Sequence, residues 1–345
     1  MLLGDTPIQS SFQQGIYFRC EHPLEEVWAR VARFGTDEYS DNVFSGEGPN
    51  WPELREYGAI RVRQSVELRR AASLRSLISS PLPLYYSMLN LTRAALAFVP
   101  EVKAHPSHGL GHKAEDDLLD CRANLKLQGT FIDLLASQNG HPPPKASITL
   151  GECLARIPEL CFDFCSPLRG RSTVAPVTVT SAPARYVELA FDVRSLREAS
   201  DFEQRWPAMF PHLRDTCSLD RGTTLSVKNA PTLAILSTYT QAVAEFCAKN
   251  LLVSLTVQQP GEPAWYAASR TCELDGWPRA AYYLAGMFIL SSLVRYEPEA
   301  LVMFAGSSDS ELGWFLTQFL AAAERFYPQL MLSWMLGQTV FFPVA

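Results

Sequence analysis

Long apolar runs are missing from this sequence. The most hydrophobic stretch, residues 280–294, spans 15 residues between Arg279 and Arg295 and contains Ser291 and Ser292. A bilayer-spanning helix needs about 20 apolar residues, so this stretch reads as a buried core helix and no membrane segment is expected. The opening Met1–Asp5 has no basic start and no apolar region, which argues against a secretory leader. Cysteine is sparse, eight in 345 residues and never as Cys-x-x-Cys, far below a disulfide scaffold. Reduced thiols in a cytoplasm are the simplest expectation. Cys161 and Cys165 stand four apart with no second ligand pair near them, so they read as core thiols rather than zinc ligands. Phosphate-binding and nucleophile signatures are absent too. No Walker loop, no Gly-x-Gly-x-x-Gly opening a helix and no Gly-x-Ser-x-Gly elbow occurs, and Gly109-Leu110-Gly111 is only a short loop pair.

Disorder is excluded by a hydrophobic fraction of 47%. The net charge of -6 argues against a dedicated nucleic-acid-coating protein, although a local basic face stays open. Lysine is scarce, 6 against 24 arginines, and arginine suits planar anion recognition better than lysine.

The organisation reads as mainly α or α+β. A helical N-terminal domain covers 1–165, a linker 166–184, an α/β-textured region 185–277, and a helical C-terminal region 278–345 that packs back on the first. Leu24, Val27, Trp28, Val31 and Phe34 mark one face of a first helix, after which residues 35–51 read as a loop. The spacing predicts a long helix over Pro52–Ser80, broken by Pro81 and Pro83, and a second over Leu84–Val99. Residues 101–118 read as a His-rich loop, Ala123–Leu135 as a strand running into a short helix, and Ser147–Leu160 as a helix capped by Thr149 and Glu152. Strands are expected at Arg185–Val193, Thr223–Val227, Thr232–Tyr239, Leu251–Gln258 and Ala264–Arg270. Helices are expected at Glu198–Phe210, Tyr239–Asn250, Ala280–Tyr296, Ser310–Phe326 and Pro328–Leu336.

Three groups of residues invite chemistry. Four of the six histidines, His105, His108, His112 and His141, crowd one stretch. His108 is the candidate acid–base or phosphate-contacting group, since a loop imidazole titrates near 6.5. A metal held by His105, His108 and His112 with Asp116 or Asp117 is the alternative, and a solvated loop the bland reading; neither a metal nor a cofactor is expected. The long helix carries Arg55, Arg61, Arg63, Arg69, Arg70 and Arg75. Arg61, Arg63, Arg69 and Arg70 are its candidate nucleic-acid contacts, weighed against an ordinary solvated face. Arg93, set among small and apolar neighbours in the second helix, either pairs with an acid or points into a cleft. Arg295 with Tyr296 ends a very apolar helix, where a cation also suits the helix dipole.

Pro83-Leu84-Tyr85-Tyr86-Ser87-Met88-Leu89-Asn90-Leu91-Thr92-Arg93-Ala94, followed by Ser107-His108-Gly109-Leu110, resembles the YaaC-like bacterial proteins. The segments Ile148-Thr149-Leu150, Ile157-Pro158-Glu159-Leu160 and Met287–Pro298 resemble the same family in the same order, so the likeness spans roughly residues 25–340. That family brings no activity with it. The Tyr-Tyr helix and His108 also show a distant similarity to HEPN helical domains. Ribonucleases of that type use a closely spaced Arg–His pair, whereas here Arg93 precedes His105 by twelve residues. The resemblance therefore implies RNA binding or scaffolding more than RNA cleavage.

The leading expectation is a cytoplasmic binding or assembly module, directed to an RNA or protein partner or belonging to an antiviral-type complex. The rival is an enzyme acting on a phosphorylated or nucleotide-like ligand, with Arg93 and His108 catalytic and Tyr86, Asn90, Arg295 and Tyr296 binding. A third reading, a homo-oligomer subunit, rests on Trp314, Phe315, Phe319, Phe326 and Trp334.

Overall fold

The computed structural model describes residues 15–44, 49–72, 76–139, 147–165, 172–182, 186–195, 201–228, 246–247, 249–253, 255, 265–269, 277–305 and 310–343. Two compact units share the chain. One consists of residues 22–154 and 277–340, the other of residues 1–21, 155–276 and 341–345. Arg75 and His141, and the expected strand at Thr232–Tyr239, lie outside the described residues, as does most of the expected helix Tyr239–Asn250.

In the second of these units the chain opens with β1 (Ile16–Tyr17), where Tyr17 stacks on Phe341 at 4.8 Å between ring centroids. The helical unit then begins with α1 (Pro23–Arg33). Pro23 sits in its first turn, where its missing N–H costs nothing. Glu25 and Glu26 lie at its positive end and Arg30 and Arg33 at its negative end. The expected face is buried through Val27, Trp28 and Val31. A short helix, α2 (Asp37–Val43), occupies the region read as a loop, pinned by Tyr39 and Phe44 against the buried Phe34.

The long helix ends earlier than its spacing suggests. It runs as α3 (Trp51–Ala71), and Pro81, expected as a breaker, instead opens α4 (Pro81–Phe98). Both outcomes use the same property of proline, which is excluded from helix interiors and tolerated in the first turn. The two helices cross closely at Gly58, where a Cβ would come within 2.5 Å of the Phe98 ring.

The stretch read as a polar loop contains β2 (Leu110–Lys113). It pairs antiparallel with β3 (Arg122–Leu125), which in turn pairs with β4 (Ser147–Thr149). As expected, a helix, α5 (Thr130–Asn139), follows the strand. The expected capping box opens α6 (Leu150–Ala155): Thr149 N donates to Glu152 Oε2 at 2.8 Å, and Glu152 N donates to Thr149 Oγ1 at 3.1 Å.

The other unit is built on a sheet. Its strands are β5 (Val174–Ala182), β6 (Tyr186–Phe191), β7 (Cys217–Arg221), β8 (Thr224–Val227), β9 (Leu252–Val253) and β10 (Trp265–Ala268), and α7 (Phe202–Met209) and α8 (Pro211–Arg214) intervene after β6. The order across the sheet is β7-β8-β6-β5-β10-β9, with every neighbouring pair antiparallel. The segment read as a linker thus contributes β5. Its Pro, Ser and Thr content hid a run of alternating β-branched residues. Leu189, Phe191, Phe202, Trp206, Phe210 and Leu225 are among the side chains that form this unit's core.

The chain returns to the helical unit with α9 (Arg279–Tyr296), α10 (Pro298–Ala305) and α11 (Glu311–Leu336). Every residue from Ala280 to Leu293 is buried, as a core helix requires. α4 touches α3, α9 and α11, so the C-terminal helices pack back on the N-terminal ones. Among the described residues no helix is long and apolar enough to cross a membrane.

α11 departs from expectation in one respect. Pro328 lies inside it instead of separating two helices. A helical proline has no N–H to give the carbonyl four residues back, which leaves the Glu324 oxygen without its usual donor. The indole Nε1–H of Trp28 on α1 supplies the replacement, donating to Glu324 O at 3.0 Å in a buried contact. Replacing Trp28 by Phe keeps an aromatic ring but removes that donor together with part of the buried indole's volume. The expected result in urea unfolding is a loss of about 1–3 kcal/mol with an unchanged denaturant slope.

Candidate functional site

The third and fourth turns of α4, together with its second, hold the polar residues of an otherwise apolar helix. Asn90 Nδ2 donates to the Tyr86 carbonyl at 2.8 Å, which leaves its Oδ1 to accept from Arg61 Nη1 on α3 at 3.1 Å. The Tyr86 hydroxyl accepts from Arg295 Nη1 at 3.0 Å. Three helices are thereby joined by polar contacts between Arg61, Asn90, Tyr86 and Arg295. One turn further along α4, Arg93 donates from Nε to Thr130 Oγ1 at 3.1 Å and from Nη2 to the Pro106 carbonyl at 2.7 Å.

Those two acceptors belong to a tightly built corner. Thr130 opens α5, and its hydroxyl donates to the His105 carbonyl at 2.9 Å. Thr130 N donates to Ser107 O, Phe131 N to His108 O and Lys126 N to Gly109 O, at 2.9–3.0 Å. Gly109 has φ +83° and Gly129 φ +142°. A Cβ on Gly129 would lie 2.2 Å from Gly109 Cα, so the backbones approach as only two glycines permit. The loop is therefore fixed, and with it the ring of His108, which packs between Phe288 of α9 (centroids 5.3 Å apart) and Tyr85 of α4 (6.5 Å).

The electrostatics are one-sided. Burial lowers the Arg93 pKa, Arg61 lowers it further, and the phenols Tyr57, Tyr85 and Tyr86 oppose the shift. The His108 imidazole is also held below its ordinary value, first by burial and then by Lys126, Arg295 and Arg93, with a backbone group of Leu110 acting weakly the other way. Among the described residues no carboxylate lies within ion-pair distance of Arg61, Arg93 or Arg295. Three polar groups here are stranded, Arg61 Nε among them. The Tyr85 hydroxyl, on a side chain only 3% exposed, has no hydrogen-bond partner, and His108 Nδ1 is buried without a well-formed one. Desolvation raises the Tyr85 pKa far above its usual range, so its hydroxyl keeps its proton.

Six of the sequence candidates thus meet in one place: Arg61, Tyr86, Asn90, Arg93, His108 and Arg295. Tyr296 does not join the polar contacts; it is 63% exposed, with the Arg295 guanidinium 4.5 Å from its ring centroid. The arginines of α3 do not form one open cationic face. Arg69 is tied to Glu324 at 2.8 Å and to Glu25 at 2.9 Å, and Arg61 turns toward α4. Only Arg63 and Arg70 of the four stand exposed. The His loop does not converge either. His105 Nδ1 meets Ser107, His108 lies between aromatic rings, and His112 Nε2 faces Glu297 at 3.7 Å. Among the described residues no group of three or more His, Cys, Asp and Glu is placed to hold a metal.

Sequence reasoning missed Thr130, Gly129 and Lys126. The paired glycines flanking a predicted strand and helix were the available signal, since each can mark a position where backbones meet.

The fold and cluster define a helical protein with a half-buried cationic site, joined in the chain to a sheet-based unit. The family model described as YaaC-like Protein matches residues 32–335. The chain belongs to the YaaC-like family. No curated protein and no solved structure matches it.

Two outcomes follow from this geometry. Gly129→Ala forces the His108 loop off α5, and thermal unfolding should show one of the larger single-residue losses, above about 2 kcal/mol. His108 and His112 are both held below their ordinary 6.5, so the unfolded chain binds protons first as the pH falls. Their contribution is fully present above about 6.5 and declines below it. Stability measured from pH 7.5 to 5.5 should fall less steeply in His108→Asn than in the parent.

Proposed function

We propose that this protein is a binding module for a phosphate-bearing anion, taken up at the Arg61, Arg93, Arg295 and His108 cluster of its helical unit. One observation carries the reading. Arg93 is half-buried, held in place by two neutral oxygens, and faces a cation and phenols rather than a carboxylate. Desolvated positive charge is costly without a counter-charge, and arginine pairs with phosphate in two-pronged geometry. The fixed loop and the three-helix polar chain give such an anion a preorganised seat. Acid–base chemistry by His108 on the same ligand is the second reading, favoured by an imidazole that stays neutral near pH 7 and so can accept a proton. An RNA-directed role would use the same seat for a phosphate of the strand, because Arg69 on α3 is already engaged.

Calorimetric titration with pyrophosphate tests this. The parent should bind, more weakly as salt is raised, and Arg93→Gln should lose about tenfold to a hundredfold in affinity, the scale of one charge-assisted contact. Arg63→Gln and Arg70→Gln should stay within about twofold, as solvent-exposed charges screened by salt. Equal affinity in Arg93→Gln, or no binding by the parent, refutes the reading.

A further inference from the structure

Resting on that reading, we infer that the occupant is a terminal phosphate, a phosphomonoester bound as its dianion, and that its capture places a proton on His108. The groups around the imidazole come from four directions. Arg93 and Tyr85 face it from α4, Arg295 and Phe288 from α9, Lys126 from the turn after β3, and the Leu110 backbone from its own strand. All the charged members of this set are positive. Without an anion, a further positive charge on His108 would add to the repulsion among them. A dianion reverses the sign of the local field, and the stranded His108 Nδ1 and Tyr85 hydroxyl then gain a reason to be polar.

The charge arithmetic separates ligand classes. A phosphodiester brings one negative charge, and a phosphomonoester brings about two above its second ionisation near pH 6. Three fixed cations beside a titratable fourth favour the doubly charged group. Free dianion and neutral imidazole combine with one proton from solution, and the complex holds His108 as imidazolium against the phosphate. No bond to phosphorus forms or breaks. The same chemistry can come from a free sugar phosphate or from the 5′ end of a nucleic acid.

The test is calorimetry at pH 8 in two buffers of different ionisation enthalpy, with ribose 5-phosphate, a 5′-phosphorylated tetranucleotide and its 5′-hydroxyl counterpart as probes. The parent should bind the two monoesters with uptake of close to one proton, and the 5′-hydroxyl strand at least tenfold more weakly. Over pH 7–8.5 the monoester association constant should fall about tenfold per pH unit, a measurement on the unaltered protein. His108→Asn should bind more weakly and without proton uptake. If the parent binds monoesters with no uptake, or if uptake survives in His108→Asn, this inference fails while the anion site stands. Equal binding of the 5′-hydroxyl strand overturns the selectivity. Absence of binding by the parent to any phosphate, pyrophosphate included, overturns the site itself. Tighter binding of the phosphorylated strand than of ribose 5-phosphate assigns the source to nucleic-acid ends, and equal affinity assigns it to a small metabolite.

Discussion

The site depends on the way a single guanidinium is held. Arg93 emerges from a largely buried helix and meets two acceptors, Thr130 Oγ1 and the Pro106 carbonyl, that carry no charge. A carboxylate in either place would have closed an ion pair and neutralised the arginine. Neutral oxygens fix its direction and leave its charge for something else. The same residues that accept from Arg93 also lock the 105–109 loop, because Thr130 donates its hydroxyl proton to the His105 carbonyl. Positioning the cation and positioning the imidazole are thus one structural event.

A contrast within the same unit sharpens this. Arg69, on α3, has a side chain only 14% exposed, but it is bracketed by Glu324 and Glu25. Its charge is spent inside the protein, tying α1, α3 and α11 together. From sequence neither arginine reveals whether it is paired, although Arg93 stands among small and apolar neighbours and Arg69 on an arginine-rich helix. What separates them is whether another element brings an acid alongside, and for Arg69 those acids lie 44 and 255 positions away.

Much of the architecture was legible in the residues. Periodicity located α1 and α4, an apolar run located α9, the Thr149–Glu152 spacing located a capping box, and alternation located β6, because these signals are local. The errors have physical reasons as well. Pro81 and Pro328 were both read as separators, yet one starts a helix and the other lies within one, since the fate of the carbonyl four residues back is decided by tertiary partners. Trp28 rescues that carbonyl from another helix, and no local pattern announces it. β2 was hidden because three of its four residues are Gly, His and Lys, and its pairing with β3 rests on register rather than on β-propensity.

The candidate site was legible in its members and not in its logic. Arg93, His108 and Arg295 stood out as polar residues in apolar or Gly-rich surroundings. Their convergence on one ligand is an expectation the sequence allows; that no carboxylate accompanies them among the described residues could not be read, because it depends on what distant elements bring alongside. A helical unit that buries this much apolar surface could have placed an aspartate at position 90 to pair with Arg61. It places asparagine instead, whose amide oxygen accepts from Arg61 without cancelling its charge. The neighbouring position is a tyrosine that accepts from Arg295 on the same terms. Three guanidinium groups are each oriented by a neutral acceptor, so among the described residues their positive charge is directed without being cancelled, and that uncancelled charge is what the proposed anion seat rests on.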